Sequence, residues 1–254
     1  MASTRPNRGH ARTLLRRAAF ALCALLIPTA AFAAVTAKGR VEGASQLQNP
    51  VWNEAKDKSS HRYNFREPSP TVRPDVRTLT GFLPKELCIV ALGEGAKARP
   101  EPLRVSLLGG RFSPVTLVVP QGQAIQFENR DPFPHRIYTV GQGGLPPGEI
   151  QPTKTRAWTP PGPGKYELRD ELSPSVRGWV VVEPKAVAVA YPNRAGEYAI
   201  SLEPGTYTFR GYFNGEAVGK ELPVTVAPAP ADQLVKDALV VGEKPKSDDK
   251  PKAD

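Results

Sequence analysis

Hydrophobic and polar positions alternate with a period of two in many short runs along this chain, which is typical of β-strands. Eight strand-like runs, from LCIVAL (87–92) to GWVVVE (178–183), are separated by Gly-Pro turns such as PPGPG (160–164). The 28 prolines and 22 glycines leave little room for long helices. The pattern predicts an all-β fold, with these runs forming an antiparallel sandwich joined by Greek-key connections.

A second group of alternating runs follows residue 185. In EYAISL the side chains of Tyr198, Ile200 and Leu202 fall on one face, and Asn214-Gly215 is a strong signal for a tight hairpin. A unit of about 40 residues in four strands has a thin core. We therefore expect the β-unit at 185–226 to pack against the first sandwich.

Three segments lie outside these two groups. VTAKGRVEG (35–43) predicts an opening strand, whereas residues 44–84 are rich in proline and charge and predict a long insertion. The tail at 227–254 is mostly polar and charged and is predicted to be disordered. One stretch of the tail has apolar residues at helical spacing and predicts a short helix, capped by Asp232 and ended by Gly242; its apolar residues are Leu234, Val235, Ala238 and Leu239.

Residues 1–33 are typical of a secretory signal peptide. Basic residues precede the apolar stretch AAFALCALLIPTAAFA, and Ala31-Phe32-Ala33 fits a cleavage site. The export route, general secretory or twin-arginine, stays open. No later segment is long and apolar enough to predict a membrane helix. We therefore expect a periplasmic or secreted protein of the bacterial cell envelope.

Net charge and cysteine content bear on two properties, a nucleic-acid partner and an intrachain disulfide. The formal net charge is +9, but removing the leader leaves 29 basic against 25 acidic residues, a balance of +4. That balance does not favour nucleic acid as a partner. Cys88 is the one cysteine after residue 33, which excludes an intrachain disulfide in the exported chain. We expect Cys88 to be a buried thiol, because it lies in an apolar strand-like run.

The segment RFSPVTLVVPQGQAIQFENRDPFPHRIYTV (111–140) resembles the central block of the cupredoxins, in particular the plastocyanin-like periplasmic proteins grouped with methylamine-utilisation proteins. In that family F-x-P, V-P-x-G and F-x-N-x-D lead to the first copper histidine. Eight positions fall in register with this pattern: Phe112, Pro114, Pro120, Gly122, Phe127, Asn129, Asp131 and His135.

Two later segments extend the resemblance. Residues 146–182 are similar to the closing block of the cupredoxins, and AGEYAISLEPGTYTFRGY (195–212) resembles a carboxypeptidase-regulatory-like unit. The resemblance implies a cupredoxin-like sandwich at 34–184, with the insertion at 44–84, followed by a small regulatory-like unit at 185–226.

The copper ligands that the family implies are mostly missing. Type 1 copper needs two imidazoles and a thiolate, usually with a weak axial methionine. Counting without gaps from Gly164 and from Trp179 puts Asp170 at the cysteine, Ser173 at the second histidine and Val176 at the methionine. We therefore predict a degenerate copper site with no metal and no cofactor.

Two interpretations of His135 stay open. In one, His135 is a structural residue hydrogen-bonded to Asp170, whose charge favours the imidazolium form. In the other, His135 and Asp170, with Glu171 or His61, bind copper(II) or zinc weakly.

The resulting prediction is a non-enzymatic, exported, cupredoxin-like binding or scaffold module. Its partner is an unknown periplasmic or envelope protein, and its expected contact surfaces are the 44–84 insertion and the loop end that would hold copper. The alternatives are weak copper or zinc handling through His135 and Asp170, and a carbohydrate-binding module that uses Trp52.

Overall fold

The computed structural model describes residues 34–48, 81–228 and 232–242, and it confirms the all-β prediction. The two helical pieces in these ranges are a 3-10 turn, Ala44–Gln46, and a single α-helical turn, α1 (Leu83–Glu86). The strands, in chain order, are β1 (Val35–Glu42), β2 (Leu87–Leu92), β3 (Leu103–Leu107), β4 (Phe112–Ser113), β5 (Thr116–Val119), β6 (Ile125–Asn129), β7 (His135–Thr139), β8 (Gly148–Ile150), β9 (Thr155–Trp158), β10 (Gly164–Asp170), β11 (Arg177–Val182), β12 (Ala186–Ala190), β13 (Glu197–Leu202), β14 (Gly205–Phe213), β15 (Glu216–Val226), β16 (Gln233–Leu234) and β17 (Leu239–Val240).

These strands form four sheets. Sheet I has the order β13-β1-β16, with β17 also paired to β1, and sheet II has the order β12-β2-β14-β15. Sheet III has the order β5-β11-β10-β7-β8, and sheet IV has the order β4-β3-β6-β9. The predicted sandwich is not purely antiparallel, because β5 runs parallel to β11 and β3 runs parallel to β6.

Sheets III and IV pack face to face and enclose one hydrophobic core. Phe112 and Phe127 meet edge to face at the sheet IV side, with ring centroids 6.0 Å apart. Side chains from sheet III, such as Ile137, Leu168 and Val180, complete the same core. Both sheets come from residues 103–182, so this sandwich is continuous in the chain.

Sheet II is covered on both faces, which explains why its central strand is apolar at every position. Along LCIVAL, Leu87, Ile89 and Ala91 belong to the core shared with sheet I. Cys88 and Val90 point the other way, into a third core that includes Val118 and Val181 of sheet III. All six residues of β2 are buried, as a strand without a solvent face requires.

The order of pairing differs from the prediction. β1 is a strand, as expected, but it pairs antiparallel with β13 of the proposed second unit. β2 pairs with both β12 and β14. The predicted boundary at residue 184 therefore does not separate the sheets, since strands before residue 93 and after residue 185 form sheets I and II together. Apolar periodicity identified the strands but carries no information about which strand is the neighbour.

The predicted helix in the tail is wrong. Residues 233–234 and 239–240 are short strands, β16 and β17, that run parallel to β1. Leu239 and Val241 are buried in the core of sheets I and II, whereas Leu234 is 74% exposed. The helical spacing of four apolar residues was outweighed by the free edge of β1, which supplies backbone partners that a helix this short lacks.

Two smaller expectations have clear outcomes. Cys88 is fully buried, as predicted, and burial raises the pKa of its thiol to about 12 against weaker opposing hydrogen bonds. In the three described ranges, no helix has the length and hydropathy that a membrane span would need.

Candidate functional site

One end of the sandwich of sheets III and IV gathers the residues that the sequence singled out. β3, β6 and β10 end there, and β4, β7 and β11 begin there. Three loops therefore meet at this end: 108–111 after β3, 130–134 after β6 and 171–176 after β10. His135, the first residue of β7, lies between them.

Both ring nitrogens of His135 face carboxylates. Nδ1 is hydrogen-bonded to Asp170 Oδ2, and Nε2 lies 3.0 Å from Asp131 Oδ2. Each ring nitrogen of His135 is therefore engaged by a carboxyl oxygen of a different aspartate, and the ring links the two side chains. We call Asp131, His135 and Asp170 the triad, and all three are buried.

Asp131 is held from its other side by two glycines. Its Oδ1 accepts the amide hydrogen of Gly109 at 2.6 Å, and its Oδ2 accepts that of Gly110 at 2.9 Å. Gly109 and Gly110 have φ of 63° and 65°, the left-handed region that glycine adopts without a steric penalty. Two successive left-handed residues turn their amides towards one anion, which anchors loop 108–111 to the triad.

Opposing effects act on the pKa of Asp131. Burial is the largest and raises the pKa, because it disfavours the charged carboxylate. The hydrogen bonds from Gly110 and Gly109, together with His135, lower the pKa and outweigh burial. The net pKa lies below the ordinary value of 3.8, so Asp131 is ionised at neutral pH.

Asp170 anchors the third loop. Its Oδ1 accepts amide hydrogens from Arg136 at 3.0 Å, Leu172 at 2.9 Å and Ser173 at 3.3 Å. The hydrogen bond between His135 and Asp170 that the sequence suggested is therefore present, and it belongs to a larger network. His135 joins loop 108–111 to loop 171–176 through its two carboxylate partners.

Asn129 and Asp131 are partners that the sequence placed in the family motif without a role at the site. Asn129 Oδ1 accepts the amide hydrogen of Asp131, and its Nδ2 donates to the carbonyl oxygens of Phe133 and Ile150, each at 2.8 Å. Asn129 thus shapes the loop that brings Asp131 back to His135. The spacing F-x-N-x-D was the available signal, but it does not reveal where the carboxylate points.

The donors at this end do not fit type 1 copper. Asp170 offers a hard oxygen where that centre needs a thiolate, and it is already bonded to His135. Val176 is apolar and buried in the sandwich core, and Ser173 lies in the turn that Asp170 holds. Among the described residues, no group of three or more His, Cys, Asp or Glu side chains has a geometry that could hold a metal ion.

Each of the three loops exposes one large apolar side chain. Leu108, Phe133 and Leu172 are 55%, 41% and 51% exposed, and each comes from a different one of the three loops. The Phe133 ring lies 5.0 Å from the His135 ring, centroid to centroid. We call these three side chains the three-loop face. They are half of the six large hydrophobic side chains exposed in the described ranges.

The other candidate residues lie elsewhere. Trp52 and His61 fall outside the described residues. Glu171, the proposed extra ligand, pairs with Arg136 at 3.1 Å on the surface instead of turning to His135. Trp158 packs edge-on against Tyr166 with centroids 5.4 Å apart, and Trp179 is buried, so both contribute to packing.

A cavity of about 870 Å³ opens far from the triad, beside β1 and β13. Its lining mixes charges of both signs, including Lys38, Arg40 and Glu197, with Tyr198 and the exposed Leu234. The Tyr198 hydroxyl is enclosed and finds no hydrogen-bond partner among the described residues, and burial raises its pKa to about 12. The cavity shares no residue with the triad.

Comparison with known proteins gives a limited likeness. No family model matches the chain, and no curated protein sequence matches it significantly. Among solved structures, the chain is similar to a reduced mutant of amicyanin at 21% identity, covering 37% of this chain and 98% of that one with a TM-score of 0.31. Amicyanin from Paracoccus versutus matches at 17% identity over 37% of this chain and 97% of that one, with a TM-score of 0.31.

A copper-containing nitrite reductase from Thermus scotoductus is similar over the same share of this chain. It is 25% identical, and the match covers 37% of this chain but 25% of that one, with a TM-score of 0.31. Likenesses at these values say nothing about a metal or a reaction in this protein.

Proposed function

We propose that this protein is an exported, non-enzymatic, cupredoxin-like binding or scaffold module without a type 1 copper site. The observation that carries the proposal is the occupation of both His135 nitrogens by carboxylates, with Asp170, Ser173 and Val176 at the remaining ligand positions. A thiolate is what makes such a centre bind copper tightly and cycle electrons, and these positions supply none. The leader at 1–33 and the motif at 111–140 support export and the cupredoxin-like scaffold.

The three-loop face is the proposed contact surface for an envelope protein. Exposed Leu108, Phe133 and Leu172 lie on three loops that meet at one end of the sandwich, and hydrogen bonds to the buried Asp131 and Asp170 fix two of these loops. A pre-ordered apolar surface loses little conformational entropy when a partner covers it.

Metal analysis of the exported protein, followed by copper(II) titration, tests the first part. We expect no stoichiometric copper and no intense colour, and any weak copper(II) binding should persist in His135→Gln. Tight one-to-one copper binding that His135→Gln abolishes would overturn the proposal.

Contact mapping tests the second part. A photo-crosslinking amino acid at position 172 should capture one defined envelope protein, and Phe133→Asp should abolish that product. Val140→Asp is the matched control, because Val140 is 53% exposed but lies just past the opposite end of β7. If both aspartate variants crosslink like the parent chain, the three-loop face is not the contact surface.

A further inference from the structure

We propose that His135 couples loop 108–111 to loop 171–176, so that the two loops hold or lose their structure together. His135 is a positioning residue in this proposal. It bonds to neither loop backbone directly, and it acts on each loop through one carboxylate.

The chain of contacts is continuous. The amides of Gly109 and Gly110 bond to Asp131, Asp131 bonds to His135, His135 bonds to Asp170, and Asp170 accepts the amides of Leu172 and Ser173. No other hydrogen bond between the two loops is present in the described ranges. The hydrogen-bonded path between them therefore runs through the His135 ring.

Burial makes this coupling strong. His135 has no exposed surface, so it cannot exchange a lost carboxylate for water unless the site opens. If loop 108–111 moves and Asp131 follows, His135 Nε2 loses its hydrogen-bond partner. A buried polar atom without a partner is unfavourable, so the ring shifts and its contact with Asp170 weakens.

The other charged side chains on the elements around the triad lie at the protein surface. Arg111 from loop 108–111, Arg130 and Arg136 from the flanks of His135, Glu149 from β8 and Glu171 from loop 171–176 are all exposed. Arg130 pairs with Glu128, and Arg136 pairs with Glu171, both at the surface. Asp131 and Asp170 are the charged groups that share the buried site with His135.

Amide hydrogen exchange on the full chain, without a partner, tests the coupling. Gly110→Ala strains only its own loop, because Gly110 has φ of 65° and open space where the Cβ would lie. We expect the amides of Leu172 and Ser173 to exchange about tenfold faster in this variant, although the substitution touches neither. In a His135→Gln background, adding Gly110→Ala should leave those two amides unchanged.

Gly143→Ala is the matched control. Gly143 has φ of 79°, also has open space at the Cβ position, and lies beyond the opposite end of β7. This variant should leave both loops as they are. Faster exchange confined to residues 108–111 in Gly110→Ala would overturn the coupling, and it would not affect the proposed binding face.

The amides of β2 report global opening in the same experiment, because this strand is buried on both faces. If Gly110→Ala speeds exchange in β2 as well, the substitution has opened the whole protein. The coupling is then tested from the other loop, with Leu172→Pro. Leu172→Pro removes one amide that Asp170 accepts, at a half-exposed position. The coupling requires faster exchange at Gly109 and Gly110 in Leu172→Pro, and unchanged rates there would overturn it.

Discussion

At the scale of single residues, the triad is a buried arrangement of one imidazole between two carboxyl groups. Assembling such a group from water has a desolvation cost that offsets much of the attraction between its members. Removing one member is a different matter, since it leaves the others buried without compensation. The five backbone amides that bond to Asp131 and Asp170 show how much of the local structure depends on the triad being complete.

We predict that His135→Gln lowers the free energy of unfolding by about 3–5 kcal/mol, because it leaves Asp131 and Asp170 buried without the ring that both bond to. Urea unfolding measures this change. Arg136→Gln is the neighbouring control: the Arg136 pair with Glu171 is exposed, so its loss should change stability by about 1 kcal/mol or less. Equal effects of the two substitutions would contradict the role assigned to the buried network.

The lowered pKa of Asp131 predicts the response to acid. A carboxyl whose folded pKa is depressed stabilises the fold fully above its unfolded pKa, and that contribution is lost as the pH falls through the folded pKa. The free energy of unfolding should therefore decline as the pH falls below 3.8, the ordinary pKa of this carboxyl group. In Asp131→Asn, which does not titrate, the decline should be shallower when both chains are unfolded in urea across this range.

The sequence predicted part of the site. Counting from Gly164 and Trp179 placed Asp170 at the cysteine position of the copper site, and the hydrogen bond expected between His135 and Asp170 is present. Asp131 was quoted only as a motif residue, because its role depends on the turn that Asn129 holds and on the left-handed pair Gly109-Gly110. Contacts made by backbone amides from a distant loop leave no trace in residue spacing.

At the scale of elements, the solvent exposure of two strands follows their apolar pattern closely. EYAISL alternates between exposed and buried residues, as a strand with one solvent face should. LCIVAL is apolar throughout and is buried throughout. The prediction of a helix failed in the tail, where the segment with four apolar residues at helical spacing contains the short strands β16 and β17. Backbone partners on β1 and the core position of Leu239 decided that outcome.

Gly219 tests how closely β17 packs on β15. Gly219 has φ of 73°, and a Cβ there would collide with the carbonyl oxygen of Val240. Gly219→Ala should destabilise the protein by clearly more than the roughly 1–2 kcal/mol expected for an alanine in the left-handed region alone. Gly143→Ala supplies that reference, because its Cβ position is open. Similar unfolding midpoints for the two variants would mean that β17 does not pack on β15.

At the scale of the whole molecule, the sheets rather than the sequence order define the structural units. Residues 103–182 build sheets III and IV completely. β1 and β2 come earlier in the chain, but all their described strand partners lie after residue 185. Neither strand pairs with a strand within 103–182. A linear division at 184 therefore cuts through sheets I and II, although it matches the change in sequence pattern.

This arrangement predicts that a longer fragment is less well folded than a shorter one. A fragment of residues 34–184 retains β1 and β2 but removes β12, β13 and β14, so the buried β2 loses both neighbouring strands. A fragment of residues 100–184 retains every strand pair of sheets III and IV. We expect cooperative urea unfolding for 100–184, and aggregation or unprotected amides at 87–92 for 34–184.

The shorter fragment does expose one apolar patch, since Val118 and Val181 pack against sheet II in the full chain. That patch is small beside the apolar surface of β2, which is covered on both faces. The shorter fragment should therefore be the more soluble of the two, because an unpaired strand edge adds an aggregation risk that two exposed valines do not. Slow amide exchange at residues 87–92 in the 34–184 fragment would show that β2 folds without β12 and β14, and the sequence-based boundary at 184 would then be a structural one.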